Sequence, residues 1–259
     1  MASPIANTFS VWHGLFLRET LDRFFGCRMA WAWLIFEPVI HMSLIAVYVA
    51  ARRGSGGVGT NLPVLEWLIV GLMVFFFFRR AALQTQHSVD SNKAFFAFRQ
   101  VKPNDVALVR STVEAFSMFL IATMLALVGI ICGYKMIPHD PLIVIVVCLL
   151  VWALATGYGM ITCVIMRLVP ETGHLFMVMM MPLYILSGTI IPLAMFPASI
   201  RDILMYNPMA HALELARSSF FYPYHSMNPS LSYLAVWSVS LLLAGLLMFK
   251  LFHKRLIER

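Results

Sequence analysis

Charge is what this chain has least of. Of its 259 residues only 12% are Asp, Glu, Lys or Arg, against the roughly 25% of a soluble domain, and 61% are hydrophobic. That excludes a soluble globular enzyme and points to a polytopic membrane protein. Cysteine is scarce too: Cys27, Cys132, Cys148 and Cys163 show no CxxC spacing, and the last three lie in apolar stretches, so neither a disulfide framework nor a thiolate metal centre is expected. No Gly-Lys dipeptide occurs, so there is no Walker A loop; any ATP must be bound by another subunit. HExxH, a second His/carboxylate pair at ligand spacing and a GxSxG elbow are also missing, which argues against metal or nucleophilic catalysis. The first thirty residues carry Arg18, Glu19, Asp22, Arg23 and Arg28 in place of an uninterrupted apolar core, so a removed signal peptide is not expected and insertion should rely on internal spans.

What the chain does have is long apolar runs. A hydrocarbon core of about 30 Å needs roughly 20 mostly apolar residues per helix. That ruler marks six candidate spans near 30–51, 63–83, 107–133, 142–166, 174–191 and 230–251, flanked by residues 1–29 and 252–259. The expected fold class is an all-α membrane protein with six transmembrane helices, an N-terminal interfacial amphipathic helix, and short re-entrant or outer-face helices between spans five and six. With the N-terminus inside, fourteen of the nineteen Lys and Arg fall on the inner side; the others are Arg52, Arg53, Lys135, Arg201 and Arg217. This is the positive-inside bias, with both termini cytoplasmic, and it accounts for the net charge of +7 without nucleic acid.

Several stretches interrupt the apolar pattern. In "FSVWHGLFLRETLDRFFGCRM", Phe16, Leu17, Leu21, Phe24 and Phe25 share a helical face with Arg18, Asp22 and Arg23 elsewhere, the pattern of a helix lying in the interface; the alternative is a mere positive stop before insertion. Span one holds Glu37 and His41 one turn apart around Pro38. Ionisable groups at membrane depth are costly and usually face protein or water, and the proline suits a kinked element lining a cavity; the alternative is Glu37 snorkelling to the headgroups. Trp31, Trp33, Phe36 and Tyr184 offer flat apolar faces, or belong to an interfacial belt, and Arg28 or His41 can meet acidic groups. After span two, Ser91 or Asn92 can cap a short helix carrying Phe95, Phe96 and Phe98 beside Lys93, Arg99 and Lys102, an exposed docking surface for a protein partner or a loop dipped into lipid. Asn104 or Asp105 is expected to cap span three after Pro103. Span five is short, with Pro182 inside, Ser187-Gly188 near its end, and Pro192 and Pro197 beyond, so 192–206 is expected to be re-entrant.

The stretch "NPMAHALELARSSFF", 207–221, is too short and too charged to span, and a seventh span would reverse the charge bias. Asn207 as N-cap, Pro208 at the first helical position and Pro223 beyond predict a short helix. His211, Glu214, Arg217 and Ser218 fall on one arc and Met209, Leu213, Ala216 and Phe220 on the other, which predicts an amphipathic outer-face helix with an exposed Glu214–Arg217 pair worth about 0.2 to 0.5 kcal/mol. His211 and Glu214 are also the residues an intramembrane enzyme would use.

Taken in order, "LFLRETLDRFF", "WAWLIFEPVIH", "FRQVKPNDVALVRSTVE", "VPETGH" and "YNPMAHALELARSSF" cover nearly the whole chain, which resembles the membrane permease of type-2 ATP-binding-cassette exporters and, within it, the inner-membrane subunit of capsular polysaccharide export. The resemblance implies a homodimer in the bacterial inner membrane working with two cytoplasmic ATPase subunits, which hold the ATP and Mg while this chain binds no cofactor. It implies that Asn92, Phe95, Phe96, Phe98, Arg99, Lys102 and Pro103, with Pro170 and Glu171, couple to the ATPase. The first and fifth spans would border the polymer path, through Arg28, Trp31, Trp33, Glu37 and His41 on one and Tyr184 and Ser187 on the other. Asn207, Pro208, His211, Glu214 and Arg217 would belong to an outer helix closing the channel. A periplasmic adaptor and an outer-membrane channel would carry the lipid-linked acidic polysaccharide onward. An O-antigen, teichoic acid, lipid or drug exporter shares this architecture.

Overall fold

The computed structural model describes residues 4–26, 32, 36, 39–41, 43–45, 47, 64–97, 101–222, 224 and 227–258, and among them every regular element is helical. Helix α1 (Pro4–Phe25) precedes α2 (Val64–Gln86), a short α3 (Ser88–Ser91) and a 3-10 turn (Lys93–Ala97). Then follow α4 (Pro103–Ile131), α5 (Pro141–Leu168), α6 (Thr172–Leu186), α7 (Ala198–Leu204), α8 (Pro208–Phe220), α9 (Leu231–Leu251) and α10 (His253–Glu258). Four of these, α2, α4, α5 and α9, are long and apolar enough to cross a bilayer. Most of the first expected span lies outside the described residues.

Helix α2 is the axis of the bundle, packing on α4, α5 and α8. Trp67, Leu68, Leu72, Phe75, Phe76 and Phe78 are all buried, too many for one stripe, and a helix apolar all round must be covered on most sides. The remaining spans bury one face only. Phe119, Leu142 and Leu243 stay exposed in rows that a soluble surface would not leave bare, as expected where lipid or a second copy covers them. Helix α9 lies along α5, and α10 turns back so that Leu256 joins Val89, Met160, Cys163 and Phe249 in a second cluster.

Three expectations are corrected by this arrangement. Helix α4 begins at Pro103, four residues before the expected span, with Lys102 in the extended cap position and neither Asn104 nor Asp105 capping; proline at the first helical position sets the start. Asp105 sits in the first turn instead, accepting from Trp12 Nε1 at 2.8 Å. Helix α6 has only 15 residues, stopping at Leu186, where Gly188 takes φ +76°. That left-handed turn ends the helix five residues before the expected 191, while its shortness and the internal Pro182 agree with the short fifth span read from sequence. Finally, α1 does not gather its five apolar residues on one face: Leu17, Leu21 and Phe25 are exposed, whereas Phe16 packs edge-on against Phe116 and Phe24 against the main core. Its charged side is drawn onto the bundle by the bonds described next.

Candidate functional site

Two polar clusters sit at opposite ends of α2, about 20 Å apart by helical rise, with an aromatic wall between them. The first ties α1 to α2 and α4. Glu114 is fully buried inside α4 and holds two arginines: Arg80 Nε donates to Oε1 at 2.6 Å, and Arg23 of α1 donates to Oε2. One turn earlier Arg110 donates to Gln84 Oε1 at 3.0 Å and lies 3.9 Å from Glu19. Asn92, also buried, accepts from Arg18 at 3.0 Å and donates to Glu19 at 3.1 Å and to the Ser88 carbonyl at 3.0 Å. The Arg18 guanidinium lies 3.9 Å over the Phe95 ring. Asp90 bonds Arg167 at 3.1 Å, which brings the 88–97 segment to the end of α5, beside the exposed Pro170–Glu171 turn.

This placement corrects the expected exposure of the loop. Asn92 is an internal strut, and Phe95 and Phe96 are half-buried, Phe96 against two clusters of its own chain. Lys102 is exposed and Pro103 buried; Phe98 and Arg99 lie outside the described residues.

The second cluster surrounds α8. Asn207 accepts from the Met209 N–H at 3.0 Å, the N-cap bond, and its amide donates to Ser187 Oγ at 2.8 Å, binding the start of α8 to the broken end of α6. Arg217 has no exposed surface and donates to the carbonyls of Gly188 at 2.9 Å and Thr189 at 3.0 Å, orphan acceptors left by the helix break. Its guanidinium lies 3.4 Å over the Trp67 ring and 3.5 Å from Glu214. Gly71 of α2 leaves the space: a Cβ there would stand 2.1 Å from Arg217 Nη2. Tyr224 closes the cluster, taking a bond from Trp67 Nε1 at 3.2 Å and giving one to Glu214 at 3.2 Å; burial, then the Glu214 carboxylate, push its phenol up to about 12.

The expected exposed pair is therefore a buried one. Both arcs of α8 are enclosed, and the polar one finds its partners on α2, the end of α6 and the 224 segment. His211 has both ring nitrogens engaged: Nδ1 accepts from the Ser230 N–H at 2.9 Å, so the proton is assigned to Nε2, which donates to the Met205 carbonyl at 2.8 Å. Neither nitrogen is left to hold a metal or shuttle a proton. Replacing Asn207 by Ala is expected to cost about 1 kcal/mol of stability through the lost cap. Asp at this position retains the cap and loses only the Ser187 bond, so thermal unfolding in detergent should rank native above Asp above Ala.

Of the expected path residues, Tyr184 and His41 come together, ring centres 6.2 Å apart, with Phe75 at 4.9 Å from Tyr184 and Phe76 at 5.0 Å from His41. Ser187 lies buried under Asn207. Arg28, Trp31, Trp33 and Glu37 fall outside the described residues. Glu114, Arg80, Trp67, Gly71 and Tyr224 were not singled out from sequence. Glu114 had a usable signal, being the sole carboxylate in the apolar run 107–133.

Comparison with known proteins adds an independent finding. The family model described as "ABC-2 type transporter" matches residues 12–221. The Escherichia coli polysialic acid transport protein KpsM is 29% identical over 237 residues, 91% of each chain. The Haemophilus influenzae capsule polysaccharide export inner-membrane protein BexB is 24% identical over 245 residues, 93% of this chain and 91% of the relative. The Neisseria meningitidis serogroup B protein CtrC, with the same descriptive name, is 24% identical over 243 residues, 93% and 90%.

Proposed function

We infer, since the chain belongs to the ABC-2 type transporter family, that it is the membrane permease of an ATP-driven exporter of capsular polysaccharide. The observation that carries this reading is that capsule-export relatives align over about nine-tenths of both chains, so the likeness is to the whole permease and not to a shared helix pair. In this reading the chain is a multi-pass protein of the bacterial inner membrane with six spans, both termini cytoplasmic and re-entrant structure between spans five and six. Two copies form the pathway, two cytoplasmic ATPase subunits bind ATP and Mg, and a periplasmic adaptor and outer-membrane channel receive a lipid-linked acidic polysaccharide.

The geometry supports a mechanical division of labour. At one end, the α1–α3 assembly and the Pro170–Glu171 turn form the face that takes the ATPase stroke, with Phe95, Phe96, Phe98, Arg99, Lys102 and Pro103 in or beside it. Because Glu114 joins α1, α2 and α4 through charge-assisted bonds, a push on α1 moves these helices together. The first span and α6 border the path, through Arg28, Trp31, Trp33, Glu37, His41, Tyr184 and Ser187. At the far end α8, with Asn207, Pro208, His211, Glu214 and Arg217, holds the break in α6 shut until the stroke arrives. This is motion of packed elements about a bistable contact, with no bond chemistry in this chain.

The test is reconstitution of the full chain with its ATPase in vesicles loaded with lipid-linked acidic polysaccharide. Polymer should cross only with ATP, and hydrolysis should rise when polymer is present. Hydrolysis indifferent to polymer, with no polymer movement, overturns the reading.

A further inference from the structure

Among the described residues, the arginines in the apolar spans are paired, with one exception. Arg80 is held by Glu114, Arg110 by Gln84 and Glu19, and Arg167 by Asp90. Arg79, adjacent to Arg80 but turned away from it around α2, meets no carboxylate among the described residues; its guanidinium lies 5.9 Å from the Phe76 ring centre. It is half-buried, so a charge is held in an apolar helix with no counter-charge from the described residues, which is costly unless something else supplies one.

What surrounds Arg79 indicates what that is. Tyr184 borders the same aromatic group, its ring centre 6.2 Å from that of His41, and its hydroxyl oxygen is buried with no hydrogen-bond partner among the described residues. A buried phenol usually finds a partner, so this oxygen is a second polar group waiting for one. Phe75 lies 4.9 Å from the Tyr184 ring, and Phe76 carries the His41 ring at 5.0 Å, so the two polar groups stand against aromatic faces. A planar guanidinium beside a hydroxyl suits an anionic oxygen group, taken in bidentate fashion, and flat rings suit the C–H face of a pyranose.

We infer that Arg79 and the Tyr184 hydroxyl form an anion-recognising subsite, walled by Phe75, Phe76 and His41, that binds the carboxylate or phosphate of the transported glycan as it passes between α2 and α6. This deepens the permease reading and rests on it. An uncharged polymer could not satisfy Arg79, so the subsite selects for acidic chains. Lys in place of Arg keeps the charge and loses the fork.

The test uses the full chain with its ATPase in nanodiscs of neutral lipid, and reads binding of oligoglucuronate against the same oligomer with its carboxyls reduced to alcohols. Arg79→Gln should weaken oligoglucuronate binding at least about tenfold, and Arg79→Lys and Tyr184→Phe about threefold, with the reduced oligomer bound weakly and equally by all. A parallel arm at fixed oligoglucuronate titrates phosphatidylglycerol into the discs; Arg79-dependent displacement of the sugar by this lipid supports the subsite and identifies its phosphate as a second source of the same chemistry. Equal oligoglucuronate binding by native protein and Arg79→Gln overturns the subsite, and so does a loss that tracks dimer yield on size exclusion, which would mean that Arg79 pairs with a second copy. Native protein whose hydrolysis ignores polymer overturns the permease reading instead, so the two failures are distinguishable.

Discussion

Glu114→Ala is expected to be the most damaging single substitution at the α1 end of the bundle, lowering stability by about 3 to 5 kcal/mol, the range for removing one partner of a buried ion pair. The magnitude follows from what remains. Glu114 is fully buried and joins Arg23 of α1 to Arg80 of α2, both largely enclosed; without it two guanidinium groups face each other across a site from which the shared carboxylate has gone. The chain has few ways to relax, because Arg110, one turn away, is already engaged by Gln84 and Glu19. Glu114→Gln should be milder, retaining an acceptor and the shape. Thermal unfolding in detergent would rank native, Gln and Ala in that order. Limited proteolysis should show α1 released in the Ala variant. An Ala variant as stable as native protein, with α1 still protected, would mean that the three-helix junction is held by apolar packing alone.

How much of this was legible follows from which contacts are local. The lengths of α2, α4, α5 and α9 can be read from apolar runs, since a helix that crosses lipid must satisfy its own backbone. The Asn207 cap can be read too, because its bond reaches only two residues along the chain. Glu114 is different: its partners lie 34 and 91 positions away, and no local pattern connects them. The break in α6 was signalled by Pro182 and Gly188, but its position at Leu186 depends on Arg217, 29 residues from Gly188, which receives the freed carbonyls. Helical periodicity correctly grouped His211, Glu214 and Arg217 on one arc and misassigned what that arc faces. Periodicity separates the two sides of a helix; only the neighbouring elements decide which side is inside. For α8 the usual assumption, polar side outward, fails because the helix is enclosed on both sides: Met209, Leu213 and Ala216 are as buried as Glu214 and Arg217.

Arg217→Ala is the second expected large effect, and Gly71→Ala should reproduce part of it without removing a charge. Arg217 is completely buried, and its guanidinium occupies the notch left by Gly71 while bonding the Gly188 and Thr189 carbonyls and covering Trp67. Removing it orphans two buried carbonyls and leaves the buried Glu214 carboxylate with no counter-charge and only the Tyr224 hydroxyl, a loss on the order of 3 to 5 kcal/mol. A methyl at position 71 would stand 2.1 Å from Nη2 and 2.9 Å from Cζ. The end of a long side chain normally yields cheaply, but this one is pinned from the α2, α6 and α8 sides, so moving it means breaking the bonds to the α6 break. The expected cost of Gly71→Ala is about 1 to 3 kcal/mol, the range for overpacking. In the double variant the costs should not add, because with Arg217 already gone the methyl enters empty space. The functional counterpart is a path less well closed at the α8 end: in the reconstituted exporter either variant should raise ATP hydrolysis in the absence of polymer relative to hydrolysis in its presence. Full additivity of the two stability losses would show that Gly71 and Arg217 act separately. Without their coupling the Arg217 bonds to the Gly188 and Thr189 carbonyls would hold the α6 break independently of the notch in α2, and the guanidinium would have room to shift while keeping them.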